Sequence, residues 1–85
     1  MSELEELRKR IGAVDRTIVD AMNQRLEIVT AIKRHKAENG IAFVNPERER
    51  ALIDELAATN AGPLSPAGLE ELVRFVLDLC KRELA

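Results

Sequence analysis

Eighty-five residues, 46% hydrophobic and 33% charged, make one soluble, helix-rich domain spanning residues 1–85, too small to draw much stability from a single-chain core, so association with a second copy is expected. A net charge of −2 with interspersed signs, and only Phe43 and Phe75 as aromatics, exclude a nucleic-acid platform. One cysteine, Cys80, and one histidine, His35, exclude an internal disulfide and a zinc set, so no metal is expected, and they agree with a reducing compartment.

The longest unbroken apolar run, Ile41 to Val44, is far short of a membrane span, and the opening MSELEELRKR has no signal-peptide character. A cytoplasmic protein without membrane contact is expected.

Leu4, Leu7, Ile11, Val14, Ile18, Ala21, Arg25, Ile28, Ile32 and His35 recur at alternating steps of three and four, the seam of a helix that packs on other helices. Ser2 is placed to cap its start with Glu5 reaching back in a capping box, and Asn39-Gly40 stops it. The element is then about 35 residues and about 50 Å long, with Gly12 inside it at a small propensity cost. No 85-residue globule encloses such a helix, so its seam needs a second copy to cover it.

Arg25 stands in that seam where a hydrophobe is expected. Burying a guanidinium is costly unless an anion meets it, so Arg25 reads as a register device or as a pocket for something negative. Lys36 lies eleven residues on, about 20° around the helix and about 16 Å along it, so the two cations face the same way and are spaced to bracket one small dianion. Arg8 lies seventeen residues before Arg25, about 25 Å away, so only an antiparallel partner could bring another chain's Arg8 to Arg25.

After the apolar connection Ile41 to Val44, Asn45-Pro46 is a helix N-cap followed by proline at the first helical position. The second helix starts at Pro46, turns Leu52, Ile53 and Leu56 inward, and ends by Ala61-Gly62-Pro63. Ser65-Pro66 repeats the starting device. Leu69, Leu72, Val73, Val76, Leu77, Cys80 and Leu84 then mark one broad apolar face of a third helix.

The chain has no Gly-rich phosphate loop, no Ser/His/Asp set and no evident nucleophile. Arg8, Arg25, Lys36 and Arg48 remain as anion binders. Glu49 stands beside Arg48 in the first turn of the second helix, where free N–H groups and the helix dipole also favour anions. Arg48 and Glu49 read equally as a solvated helix start.

Four stretches, LRKRIGAVD, QRLEIVTAIKRHK, NPERER and GPLSPAGLEELVRFVL, together resemble the chorismate mutases of the all-helical AroQ (type II) class over nearly the whole chain. The resemblance implies an all-α fold with one long, one short and one medium helix per chain, in an intertwined homodimer. It implies the Claisen rearrangement of chorismate to prephenate, in the shikimate pathway toward phenylalanine and tyrosine, with no cofactor. Carried over by position, Arg25 and Arg48 would hold the substrate carboxylates with Arg8 from the partner chain, Lys36 would donate to the ether oxygen whose bond breaks, and Glu49 would accept from the ring hydroxyl. A concerted rearrangement needs only a folded substrate and stabilised charge, which agrees with a cationic site that lacks a nucleophile.

Three positions depart from the family pattern. Asn45 stands where many members carry aspartate, which keeps the cap and removes a charge near the ring hydroxyl. In the last helix, where serine or threonine and then glutamine or glutamate usually face the ether oxygen, the register gives Cys80 and Leu84. Cys80 also suits plain packing. Leucine cannot donate a hydrogen bond, and the adjacent Glu83 would serve only if the last turn were overwound or frayed.

Relatives of this fold act on isochorismate as a pyruvate lyase or on 4-amino-4-deoxychorismate as a mutase, and Asn45 and Cys80 keep both readings open. Outside the enzymes, the chain reads as a helical dimerisation or regulatory module that docks on another shikimate-pathway enzyme. The retained Arg25, Lys36, Arg48 and Glu49 argue against a pure scaffold, which gains nothing from several cations aimed at one cavity.

Overall fold

The computed structural model describes residues 2–85, and among these it contains three helices and no strand: α1 (Glu3–Glu38), α2 (Pro46–Thr59) and α3 (Pro66–Glu83). Each helix starts with the same local chemistry. The side-chain oxygens of Ser2, Asn45 and Ser65 accept from the backbone N–H groups of Glu5, Arg48 and Gly68 at 3.1, 3.1 and 3.0 Å, so one otherwise unpaired donor of each first turn is satisfied. Proline follows the cap in α2 and α3, where its fixed φ and missing N–H cost nothing.

Acidic Glu3, Glu5 and Glu6 occupy the first turn of α1, and basic His35 and Lys36 the last, both in accord with the helix dipole. A Schellman turn closes the helix. The Ile41 N–H reaches back to the Lys36 carbonyl at 2.8 Å and the Gly40 N–H to Ala37 at 3.4 Å, which requires the left-handed φ of 66° that glycine adopts without a Cβ penalty. The turn folds the connection back over the end of α1, and this brings the Phe43 carbonyl to Lys36.

Thirty-six residues make α1 about 54 Å long at the ordinary rise. The chain measures 57 × 24 × 18 Å, so α1 spans its whole length and the shorter helices cover only part of it. The core is small. Ile53 of α2 and Leu69 and Val73 of α3 are buried together, with Leu52 and Leu77 packed beside them. α3 is the middle element, in contact with α2 on one side and with the C-terminal half of α1 on the other, and α1 and α2 do not pack together.

One expectation about faces needs correction. Leu56 and Leu72 are 40% and 53% exposed, so neither points into the core, because the α2–α3 contact is a narrow stripe through Ile53, Leu69 and Val73. In α1, Val29 is half-buried, while Ile28 of the counted seam is 61% exposed like Ile11 and Ile18 and belongs to the stripe that the chain leaves bare. One residue is about 100° around a helix, so the stripe facing α3 is rotated from the stripe counted up from Leu4.

On the solvent side a charged brace ties α2 to α3. Arg50 donates to Asp54 within its own helix at 2.9 Å and to Glu70 of α3 at 3.1 Å, and Arg74 donates to Glu70 from one turn further on. The hydrogen bond from Arg74, and then that from Arg50, hold the Glu70 carboxyl below the usual glutamate range. Bonds to Asp54 first, and to Glu70 second, raise the Arg50 guanidinium above its ordinary value.

Candidate active site

The three helices meet at a cleft beside the end of α1. α1 contributes Arg25, Val29, Ile32 and Lys36, one side chain per turn along one face, as the helical repeat dictates. The connection lays Phe43, Val44 and Asn45 over its edge, the first turn of α2 brings Arg48 and Glu49, and α3 closes the far wall with Leu77, Cys80 and Lys81. The floor is apolar and the rim is charged, with four cations facing one carboxylate. The cleft encloses about 130 Å³, against roughly 300 Å³ or more for ordinary small-molecule sites, so one chain supplies only part of an enclosure.

Most of the charged groups are held by other residues that line the cleft. Arg25 bridges to α3, its Nη1 donating to Cys80 Sγ at 3.1 Å, and its remaining N–H groups are left for another acceptor. Lys36 Nζ donates to the Phe43 carbonyl at 3.0 Å and sits 6.0 Å from the centre of the Phe43 ring. The backbone therefore fixes the ammonium through one proton, and two remain. Lys33, one turn earlier, donates to the Leu84 carbonyl and pins the end of α3 to α1.

Arg48 and Glu49 differ in exposure and in how closely they are paired. The Arg48 guanidinium is 67% exposed and 3.9 Å from Glu55, a loose surface pair that exchanges readily for a better anion. Glu49 Oε2 lies 2.8 Å from Lys81 Nζ, and both side chains are less exposed, at 21% and 32%. The Asn45 carbonyl oxygen is engaged in capping α2, which leaves its amide N–H groups as the free end of that side chain.

Six of the residues singled out from the sequence, Arg25, Lys36, Asn45, Arg48, Glu49 and Cys80, converge on this cleft. Arg8 does not. It lies on the exposed face near the other end of α1, beside Leu4, Leu7 and Ile11. Glu83 and Leu84 are not among the lining residues. The last turn of α3 is regular, with the Leu84 N–H on the Cys80 carbonyl at 3.0 Å, so Glu83 stays exposed and Leu84 caps the helix. Lys81 lines the cleft and was missed. Its signal was its place one helical turn after Leu77 on the apolar face of α3, but the partner that draws it in, Glu49, belongs to another helix.

An all-α chain with a cationic, apolar-floored cleft beside the end of its long helix has a shape suited to holding a small anionic ligand. The chain belongs to the chorismate mutase type II family, whose sequence model matches residues 7–84. A chorismate mutase from Thermus thermophilus, in its form I structure, superposes with a TM-score of 0.91 at 26% identity, covering 93% of this chain and 99% of that one. A bifunctional chorismate mutase/prephenate dehydratase of Aquifex aeolicus is 29% identical over 84 residues, which is 94% of this chain and 23% of the relative. A 4-amino-4-deoxychorismate mutase of Streptomyces venezuelae is 30% identical over 56 residues, 66% of this chain and 54% of the relative. The chain thus spans from under a quarter to about half of the length of these curated relatives.

Proposed function

We propose that this chain catalyses the rearrangement of chorismate to prephenate as an intertwined homodimer, without a cofactor. The observation that carries the reading is the convergence of Arg25, Lys36, Arg48 and Glu49 on one apolar-floored cleft. In one concerted step the ether C–O bond breaks while a C–C bond forms between the enolpyruvyl methylene and the ring, so no proton is transferred and no nucleophile is needed. The planar forks of Arg25 and Arg48 suit the two carboxylates, and Arg25 is already immobilised against Cys80. The Lys36 ammonium, a point charge held by the Phe43 carbonyl, suits the ether oxygen on which negative charge grows. Glu49 accepts from the ring hydroxyl. Fixing the flexible arm over the ring supplies the orientation part of the acceleration.

The dimer completes the site. Arg8 lies far from Arg25 on the bare stripe of its own helix, and an antiparallel α1 from a second copy would both cover that stripe and bring Arg8 to the cleft. The setting we propose is cytoplasmic; among the described residues no helix is long and apolar enough to cross a membrane. Because the Aquifex relative joins two activities in its name, association of this chain with another shikimate-pathway enzyme is a further part of the proposal.

The Streptomyces relative favours one second reading, action on the 4-amino analogue of chorismate. Purified protein mixed with chorismate decides between them: loss of the chorismate ultraviolet absorbance with prephenate as product supports the mutase. Turnover of only the amino analogue would move the assignment, and turnover of neither would defeat both.

A further inference from the structure

Lys81 is the cleft cation that none of the roles above employs. It approaches from α3, the wall opposite Lys36, and its ammonium lies 2.8 Å from Glu49 Oε2, with both side chains mostly buried. Among the described residues the other oxygen, Glu49 Oε1, has no partner. A carboxylate clamped through one oxygen is held in a single orientation and can still accept one hydrogen bond through the other.

The clamp also sets local charge. Glu49 carries one negative charge and Lys81 cancels it, while Asn45 beside them adds none. Arg48 and Lys36 line the same cleft, so the field around Glu49 Oε1 is that of a neutral acceptor in positive surroundings. A hydroxyl on the ligand ring needs only the acceptor. A ring amine carries a positive charge near neutral pH, needs net negative charge, and meets repulsion instead.

We infer that Lys81 is a specificity-determining residue: by neutralising and orienting Glu49 it makes the cleft select a ring-hydroxyl substrate over its ring-ammonium analogue. This rests on the proposed assignment of Glu49 to the ring substituent. Replacing Lys81 leaves Glu49 an uncompensated carboxylate, the partner that an ammonium lacks in the unaltered cleft.

The test is the ratio of kcat/KM for chorismate to that for 4-amino-4-deoxychorismate, measured on the full chain and on Lys81→Met, Lys81→Gln and Lys81→Arg, with circular dichroism as the check on folding. Lys81→Met keeps the length and apolar stem, and Lys81→Gln serves if the methionine variant fails to fold. The unaltered chain and Lys81→Arg favour chorismate, and the Met or Gln variant shifts the ratio at least fivefold toward the amine, chiefly through KM, because the change acts on ground-state and transition-state binding alike. A ratio at or below one in the unaltered chain, or a shift smaller than fivefold in the folded variants, overturns the inference. If the unaltered chain turns over neither compound, the proposed function fails separately. Calorimetric Kd values for the same two ligands then supply the ratio, judged by the same fivefold criterion.

Discussion

The two halves of α1 share one apolar spacing and meet opposite surroundings. In the N-terminal half Leu4, Leu7, Ile11, Val14 and Ile18 are between 47% and 61% exposed, and no other helix of the chain reaches them. In the C-terminal half Met22, Leu26 and Val29 are half-buried, and Arg25, Lys33 and Lys36 stand among them with hydrogen bonds to α3 or to the connection. The same three–four spacing, rotated by about one residue, therefore serves as a bare seam at one end and as the wall of a cleft at the other. Cations are tolerated where the chain itself supplies acceptors and an opening for an anion. A stripe of aliphatics left in water gains its stabilisation only when something outside the chain covers it.

The comparison breaks most completely if the bare half is made polar. Ile11→Glu with Ile18→Glu removes four isoleucines from a two-fold interface, each 61% exposed in the single chain and each contributing about 1.5 kcal/mol or more when covered. About 6 kcal/mol corresponds to roughly four decades in affinity, so the dimer dissociation constant should rise at least about a thousandfold in sedimentation experiments, with activity falling alongside. An unchanged dimer affinity would remove this stripe as the seam.

In the covered half the sharpest change is Lys36→Ala. It deletes a charge whose proposed work is done in the transition state, so kcat/KM should fall at least about a hundredfold, or about 2.7 kcal/mol, while the dimer persists. A loss under about tenfold, with the fold intact, would mean that another group meets the ether oxygen.

How much of this was legible in the chain follows from the range of the interactions involved. Helix starts were plain because Ser2, Asn45 and Ser65 cap through atoms three residues away. The pairing of Arg25 with Lys36 was equally local, since a helix repeat alone puts them on one face. What failed depended on contacts between helices. That Val29 faces α3 was not visible, Leu56 and Leu72 lie outside the narrow core stripe, and Lys81 lines the cleft beside Glu49 of α2. Leu84 likewise fell away from the cleft lining, since its backbone is committed to the cap and to Lys33.

A third experiment joins the two halves. Arg8 belongs to the bare seam and Arg25 to the cleft, so a site built from both requires two chains. Arg8→Ala and Arg25→Ala homodimers should each be nearly inactive. Unfolded and refolded together in equal amounts, they give mixed dimers in about half the population, each with one complete site of two, so activity should return to roughly a quarter of the unaltered level. Mixed dimers confirmed by sedimentation or mass but no more active than the parents would mean that each site is built from one chain.

The smallest expected effect concerns the brace that holds α2 on α3 and so keeps Glu49 opposite Lys81. Arg74 and Arg50 keep the Glu70 carboxyl below the usual range, and a depressed folded value contributes stability that is present above the ordinary glutamate value of about 4.3 and is lost as pH falls through the folded value. Arg50 does not confuse the measurement: its own raised value lies far above this window, so it stays charged throughout. Glu70→Gln should lower Tm slightly at neutral pH, because the side chains involved are 41–52% exposed and water screens them. That gap should close as the solution is acidified below pH about 4.3, and it should also shrink in high salt. Thermal melts of both proteins between neutral and acid pH, at two ionic strengths, read the difference directly. A gap that persists in acid would mean that Glu70 acts through packing against its neighbours and not through its charge.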